Sequence, residues 1–160
     1  MHRREHQDQP IMQDLLVTIA HHFFVFALVA ALAAELAMSG SAMNAAQIRR
    51  LGRIDAAYGI IAGLVVVAGV SRLLWGAKGS EFFVQNPVFW AKMATFVAVG
   101  LLSVPPTIRI LRWRRLSRED PSFVPDAQEL RLVRRFMHAQ AMLIPLILIF
   151  AAAMVRGYGI

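Results

Sequence analysis

Four apolar blocks, each long enough to cross a lipid bilayer, limit what this chain can become. They run over Asp14–Ala37, Ile54–Trp75, Pro87–Leu111 and Leu130–Val155. A hydrocarbon core of about 30 Å needs roughly 20 apolar residues of helix. Lipid offers no hydrogen bonds to stray peptide groups, so each block must satisfy its own backbone as an α-helix. The expectation is an all-α, polytopic membrane protein: one four-transmembrane-helix bundle over residues 14–160, after a disordered polar tail at 1–13. The first block is longer than the roughly 7–15 apolar residues of a secretory signal, so it is expected to be retained.

The hydrophobic share is 58%, above the roughly 45–50% of soluble domains, and leaves no segment for a second domain. The net charge of +7 raises the question of nucleic acid, and the placement of the charge answers it. Arg49, Arg50 and Arg53 sit in the first loop. Arg109, Arg112, Arg114, Arg115, Arg118, Arg131, Arg134 and Arg135 flank the third. The opposite side has Arg3, Arg4, Arg72, Lys78 and Arg156. The positive-inside rule then expects loops 1 and 3 in the cytoplasm and both termini in the periplasm of a bacterial inner membrane. The arginines set topology and meet anionic lipid; no nucleic-acid partner is expected. The chain has no cysteine, which excludes disulfides, thiolate metal sites, iron–sulfur clusters and covalent haem attachment.

Several helix ends can be read directly. Asn86-Pro87 places a capping residue before a proline at the first helical position. Asp126-Ala-Gln-Glu129 resembles a capping box. Pro105-Pro106 is expected to kink or end helix 3, and Pro145 to kink helix 4. Trp75, Phe82, Phe83, Phe89 and Trp90 are expected to form an outer interfacial belt, with Trp113 at the cytoplasmic interface. The segment GAKGSEFFVQN (76–86) is read as a small lid along the outer surface.

Ionisable residues inside a membrane are costly and mark function by default. They sort here into two layers. His21, His22 and Lys92 fall near the outer side. Glu35, Asp55, Tyr58, Arg109, Arg134 and His138 fall near the cytoplasmic side, where an ion-pair network of Glu35 and Asp55 with Arg109 and Arg134 is the plain expectation. At 100° per residue, His21 and Glu35 differ by about 40°, whereas His22 and Glu35 differ by about 140°. His21 therefore shares the polar face of helix 1. On helix 2, Gly59 and Gly63 form a Gly-x-x-x-Gly pair, which serves close helix packing or room for a flat cofactor.

A neutral imidazole is a good iron ligand, and axial histidine commonly holds haem b in a membrane bundle. No second histidine stands at the height of His21; Lys92 does. A lysine there could donate to a propionate, ligate iron if neutral, or move a proton; snorkelling to the interface is the plainer alternative.

Read together, the His21-His22 pair, IRRLGRIDAAYGIIAGLVVVAG, NPVFWAKMATFVAVGLLSVPPTIRILRWRR and the proline-bearing last helix resemble a bacterial family of small four-helix membrane proteins of unknown function (DUF2214-like). The order of features is also distantly similar to the HemJ-type membrane protoporphyrinogen oxidases. Those have an essential histidine early in helix 1, a basic loop before a glycine-bearing helix 2, and a Trp-then-Lys pattern opening helix 3. That resemblance implies haem b, an oxidoreductase activity, His21 or His22 as the metal ligand, and Lys92 as the catalytic or ligating lysine after Trp90. The chain departs from the pattern at Glu35, where the family has arginine, and in a Trp-to-Lys spacing one residue shorter.

The expected function is thus a haem b-binding redox protein, with His21 or His22 as axial ligand. Lys92 would be the second ligand or proton partner, Gly59 and Gly63 would let the porphyrin approach, and Arg72 would neutralise a propionate. A quinone or a tetrapyrrole would be its partner. Two other functions fit the sequence. A small proton-coupled transporter would use both titratable layers and need a homo-oligomer to form a pathway. A membrane assembly subunit would use the polar groups only to pair with each other.

Overall fold

The computed structural model describes residues 2–40, 43–75, 81 and 84–159, with the backbone course alone for residues 2–11 and 75. Four helices account for nearly all of it: α1 (His2–Met38), α2 (Ala45–Trp75), α3 (Pro87–Glu119) and α4 (Ala127–Val155). No strand occurs among the described residues. Each helix is long and apolar enough to cross a membrane, with spans at Met12–Met38, Ala45–Leu74, Pro87–Glu119 and Ala127–Val155. The segment expected as a tail is helical from His2 onward and leads into the apolar span at Met12.

Helices neighbouring in sequence pack side by side, and α4 returns to α1, so the four form a ring; among the described residues no backbones approach closely across either diagonal, and the Tyr58–Gln140 hydrogen bond bridges α2 to α4. The hairpins α1–α2 and α3–α4 are closely packed, and the seam between α1 and α4 is the loosest. Loops 1 and 3 share one end of the bundle. There Arg134 donates to the Ser39 carbonyl at 2.7 Å, and Arg114 donates to that of Gly52 at 3.4 Å. We call this the arginine-rich end. At the other, terminal end, buried Asn86 holds the last residues through a 3.1 Å bond from Nδ2 to the Tyr158 carbonyl.

Local chemistry explains the helix boundaries. α2 starts at Ala45, well before the expected Ile54, because Asn44 and Gln47 make a reciprocal cap. Gln47 N donates to Asn44 Oδ1 at 3.0 Å and Asn44 N to Gln47 Oε1 at 2.9 Å. Asn86 accepts from Val88 N, with Pro87 at the first helical position. Asp126 accepts from the amides of Gln128 and Glu129. The side chain of Glu129 does not close a capping box; it turns instead to Arg112 and Trp113.

α3 continues through Pro105 and Pro106 to Glu119, and α4 continues through Pro145. Pro106 has no N–H to bond the carbonyl of Leu102, four residues earlier. Gln140 of α4 takes that carbonyl with Nε2 at 3.3 Å, so a neighbouring helix satisfies the group that proline frees.

The buried apolar cluster lies towards the arginine-rich end. It holds Leu28, Leu32, Ile48, Leu51, Ile110, Trp113, Val133 and Met137. Trp113 is fully buried and donates to Glu129 Oε2 at 2.8 Å. It is a core residue, not the interfacial one expected, because Glu129 satisfies its indole N–H inside the bundle. Gly52 lets α2 approach α3 there: a Cβ on it would overlap the Arg114 side chain. Of the expected outer belt, Trp90 is exposed and Phe89 is buried. Phe82, Phe83, the side chain of Trp75 and most of the lid segment 76–86 lie outside the described residues.

Candidate functional site

The polar stripe of α1 faces the bundle. Glu35 is buried, and His21 is half-buried towards α2. A Cβ on Gly69 would stand 3.6 Å from His21 Cε1, so the imidazole lies against bare α2 backbone. His21 Nδ1 is buried without a well-formed hydrogen bond, although the Val65 backbone of α2 lies close enough to interact weakly with the ring. His22 is exposed, and its Nδ1 is 2.7 Å from the Thr18 carbonyl on its own helix. The two rings meet edge to face, 6.0 Å apart.

Two cations complete this cluster. Arg72 of α2 and Lys92 of α3 lie within electrostatic reach of His21 and of each other. Both are half-buried. Lys92 Nζ lies 5.4 Å from the Phe89 ring centroid, close enough for a cation–π contact. Among the described residues, neither Arg72 nor Lys92 forms an ion pair. The structure thus brings His21, Arg72 and Lys92 together from three helices.

It does not bring Gly59 and Gly63 to them. Both are exposed on the outer face of α2, and nothing lies within 4 Å of a Cβ built on either. Gly69 occupies the position expected of them. The signal was in the helical angle: Gly69 is about 20° from Tyr58, whereas Gly63 is about 140° from it. Tyr58 and Asp55 are buried and define the inward face.

Towards the arginine-rich end a second polar group is buried. Thr107 Oγ1 donates to Asp55 Oδ1 at 2.7 Å. The Tyr58 hydroxyl donates to Gln140 Oε1 at 2.9 Å. Glu35 Oε1 is buried without a partner. The expected ion-pair network does not form. Arg134 is spent on the Ser39 carbonyl, and Arg109 reaches the Pro105 carbonyl of its own helix at 3.5 Å. Backbone carbonyls, one beyond the end of α1 and one within α3, take these guanidinium groups instead. Thr107, Gln140 and Arg114 were not singled out from sequence, because their roles depend on which helix faces which. Arg112 and Glu129 make an exposed ion pair at 3.0 Å.

Among the described residues, no three His, Asp or Glu side chains gather as a metal site. His21 offers one imidazole, suited to a metal that arrives within its own macrocycle.

These features define a polytopic four-helix membrane protein with two polar layers, one half-buried and cationic, the other buried and acidic. The chain belongs to the family described as "Predicted membrane protein (DUF2214)", which it matches over residues 13–159. Comparisons with curated proteins and with solved structures give no match. The HemJ-type resemblance finds no support in them.

Proposed function

We propose that the chain binds haem b in the terminal half of the bundle, with His21 as the axial ligand, and serves a redox function in the membrane. The observation that carries this reading is the His21 imidazole, which faces the bundle with a buried nitrogen that makes no well-formed hydrogen bond. A buried polar atom without a partner is costly unless something supplies one.

The surrounding residues fit the group. Gly69 lets the His21 ring rest against bare α2 backbone, where a larger side chain would displace it. Arg72 and Lys92 would pair with the two propionates, from two helices. His22 would not compete for the metal, because it faces outward and is engaged with the Thr18 carbonyl. Bound haem would supply one-electron chemistry suited to a quinone or another membrane carrier. The protein's part is to orient the ring, neutralise its carboxylates and keep water from the ligand.

A haemin titration of the apoprotein in mild detergent tests the proposal. The wild type and His22→Ala should develop a Soret band that saturates at one haem per chain, and His21→Ala should not. Equal binding by His21→Ala and the wild type, or no saturable band in either, would overturn it.

A further inference from the structure

The acidic layer lies about 21 Å along α1 from His21, and its two carboxyls are unequally compensated. Glu35 of α1 is 3% exposed, and its Oε1 is buried with no partner. The second carboxyl, Asp55 of α2, is 5% exposed and within electrostatic reach of Glu35. Two ionised carboxylates in one buried site are costly without a cation between them or beside each. Asp55 has compensation: the Thr107 hydroxyl donates to it, and Arg114 of α3 lies within electrostatic reach.

Glu35 has none. From α2 it faces Asp55 and the Tyr58 hydroxyl, whose proton is already given to Gln140. On α4, Arg134 donates to the Ser39 carbonyl beyond the end of α1. His138 is exposed, with its Nδ1 at the Arg134 carbonyl. No donor reaches Glu35 Oε1.

We propose that Glu35 is a membrane-buried proton-binding site: its carboxyl carries a proton beside the Asp55 carboxylate and exchanges it with the arginine-rich end. Glu35 lies within one turn of the end of α1 at Met38, so the path to that end is short. No covalent chemistry is involved. The proton comes from water and returns to it, leaving Glu35 as a carboxylate while the layer is unloaded. The site is separate from His21 and stands or falls independently of the haem reading.

Dicyclohexylcarbodiimide, which modifies protonated carboxyls in apolar surroundings, is the probe. The full chain in detergent is treated across a pH series, and the modified residue is located by peptide mass spectrometry. Glu35 should be labelled, labelling should be lost as pH rises, and Asp55 should stay unmodified. Infrared spectra of the same protein should show a protonated-carboxyl C=O band that alkali removes and that Glu35→Gln lacks. The wild-type labelling does not depend on that variant folding. Failure of Glu35 to label, with no protonated-carboxyl band, overturns the proposal. Protection of Glu35 by sodium at constant pH also overturns it, by assigning the site to a small cation.

Discussion

The Gln140 side chain on α4 hydrogen-bonds the backbone carbonyl of Leu102 on α3, at 3.3 Å. It also accepts from Tyr58 of α2 at 2.9 Å, so one buried amide ties three helices. Gln140→Leu should leave the Tyr58 hydroxyl and the Leu102 carbonyl unpaired and cost about 1–2 kcal/mol. Pro106→Ala restores the amide that Leu102 would normally bond. In that background the cost of Gln140→Leu should shrink by on the order of 1 kcal/mol, read as a double-mutant cycle of unfolding in detergent.

Gly69, not the Gly59–Gly63 pair, borders His21. Gly69→Ala places its Cβ at ordinary contact distance, 3.6 Å from the ring, so the variant should fold. Gly69→Leu should fill the space and lower haem affinity at least about tenfold, equivalent to a loss of about 1.4 kcal/mol. Gly59→Leu and Gly63→Leu should leave affinity unchanged. Haemin titration of the four variants separates these outcomes.

Trp113 is fully buried, and its indole N–H meets the Glu129 carboxylate at 2.8 Å. Trp113→Phe keeps most of the apolar bulk and removes a bond to a charged acceptor. It should destabilise the α3–α4 hairpin by roughly 1.5–3 kcal/mol. Glu129→Gln should cost less, since a neutral acceptor remains. Thermal unfolding followed by circular dichroism gives the ranking.

Outside the membrane spans, the Ser122 hydroxyl and backbone N–H hold the Asp120 carboxyl below the usual aspartate range. A depressed folded-state value means that the contact is complete above the ordinary carboxylate range. It is lost as pH falls through the depressed value. The turn after α3 should therefore keep its structure at neutral pH and loosen only in acid. Ser122→Ala should move the Asp120 titration up toward the ordinary value, as measured by carboxyl NMR.

Much of the fold was legible because lipid narrows the choices. Block length gave the number of helices, and the Asn86-Pro87 and Asp126 signals gave two starts. The start of α2 was missed because Asn44-Ala-Ala-Gln47 is a weak motif outside the apolar block. The prolines of α3 were expected to kink or end it because sequence cannot show that Gln140 would reach the freed Leu102 carbonyl. In the site, periodicity placed His21 on the Glu35 stripe, and depth paired it with Lys92. The glycine pair was read without its angle to Asp55 and Tyr58, which is why Gly69 was passed over. The partners of Glu35 and Asp55 were misread for a related reason. Arg134 is taken by the Ser39 carbonyl of another element, a pairing that exists only once the helices are assembled, and Arg109 turns back to its own helix.

The visible spectrum of the wild-type protein as isolated in mild detergent tests most directly whether His21 holds haem b. Recorded oxidised and then dithionite-reduced, it should show a Soret band that shifts on reduction and resolved α and β bands, all absent from His21→Ala. A wild-type protein without a Soret band, or a His21→Ala spectrum identical to it, would contradict the account.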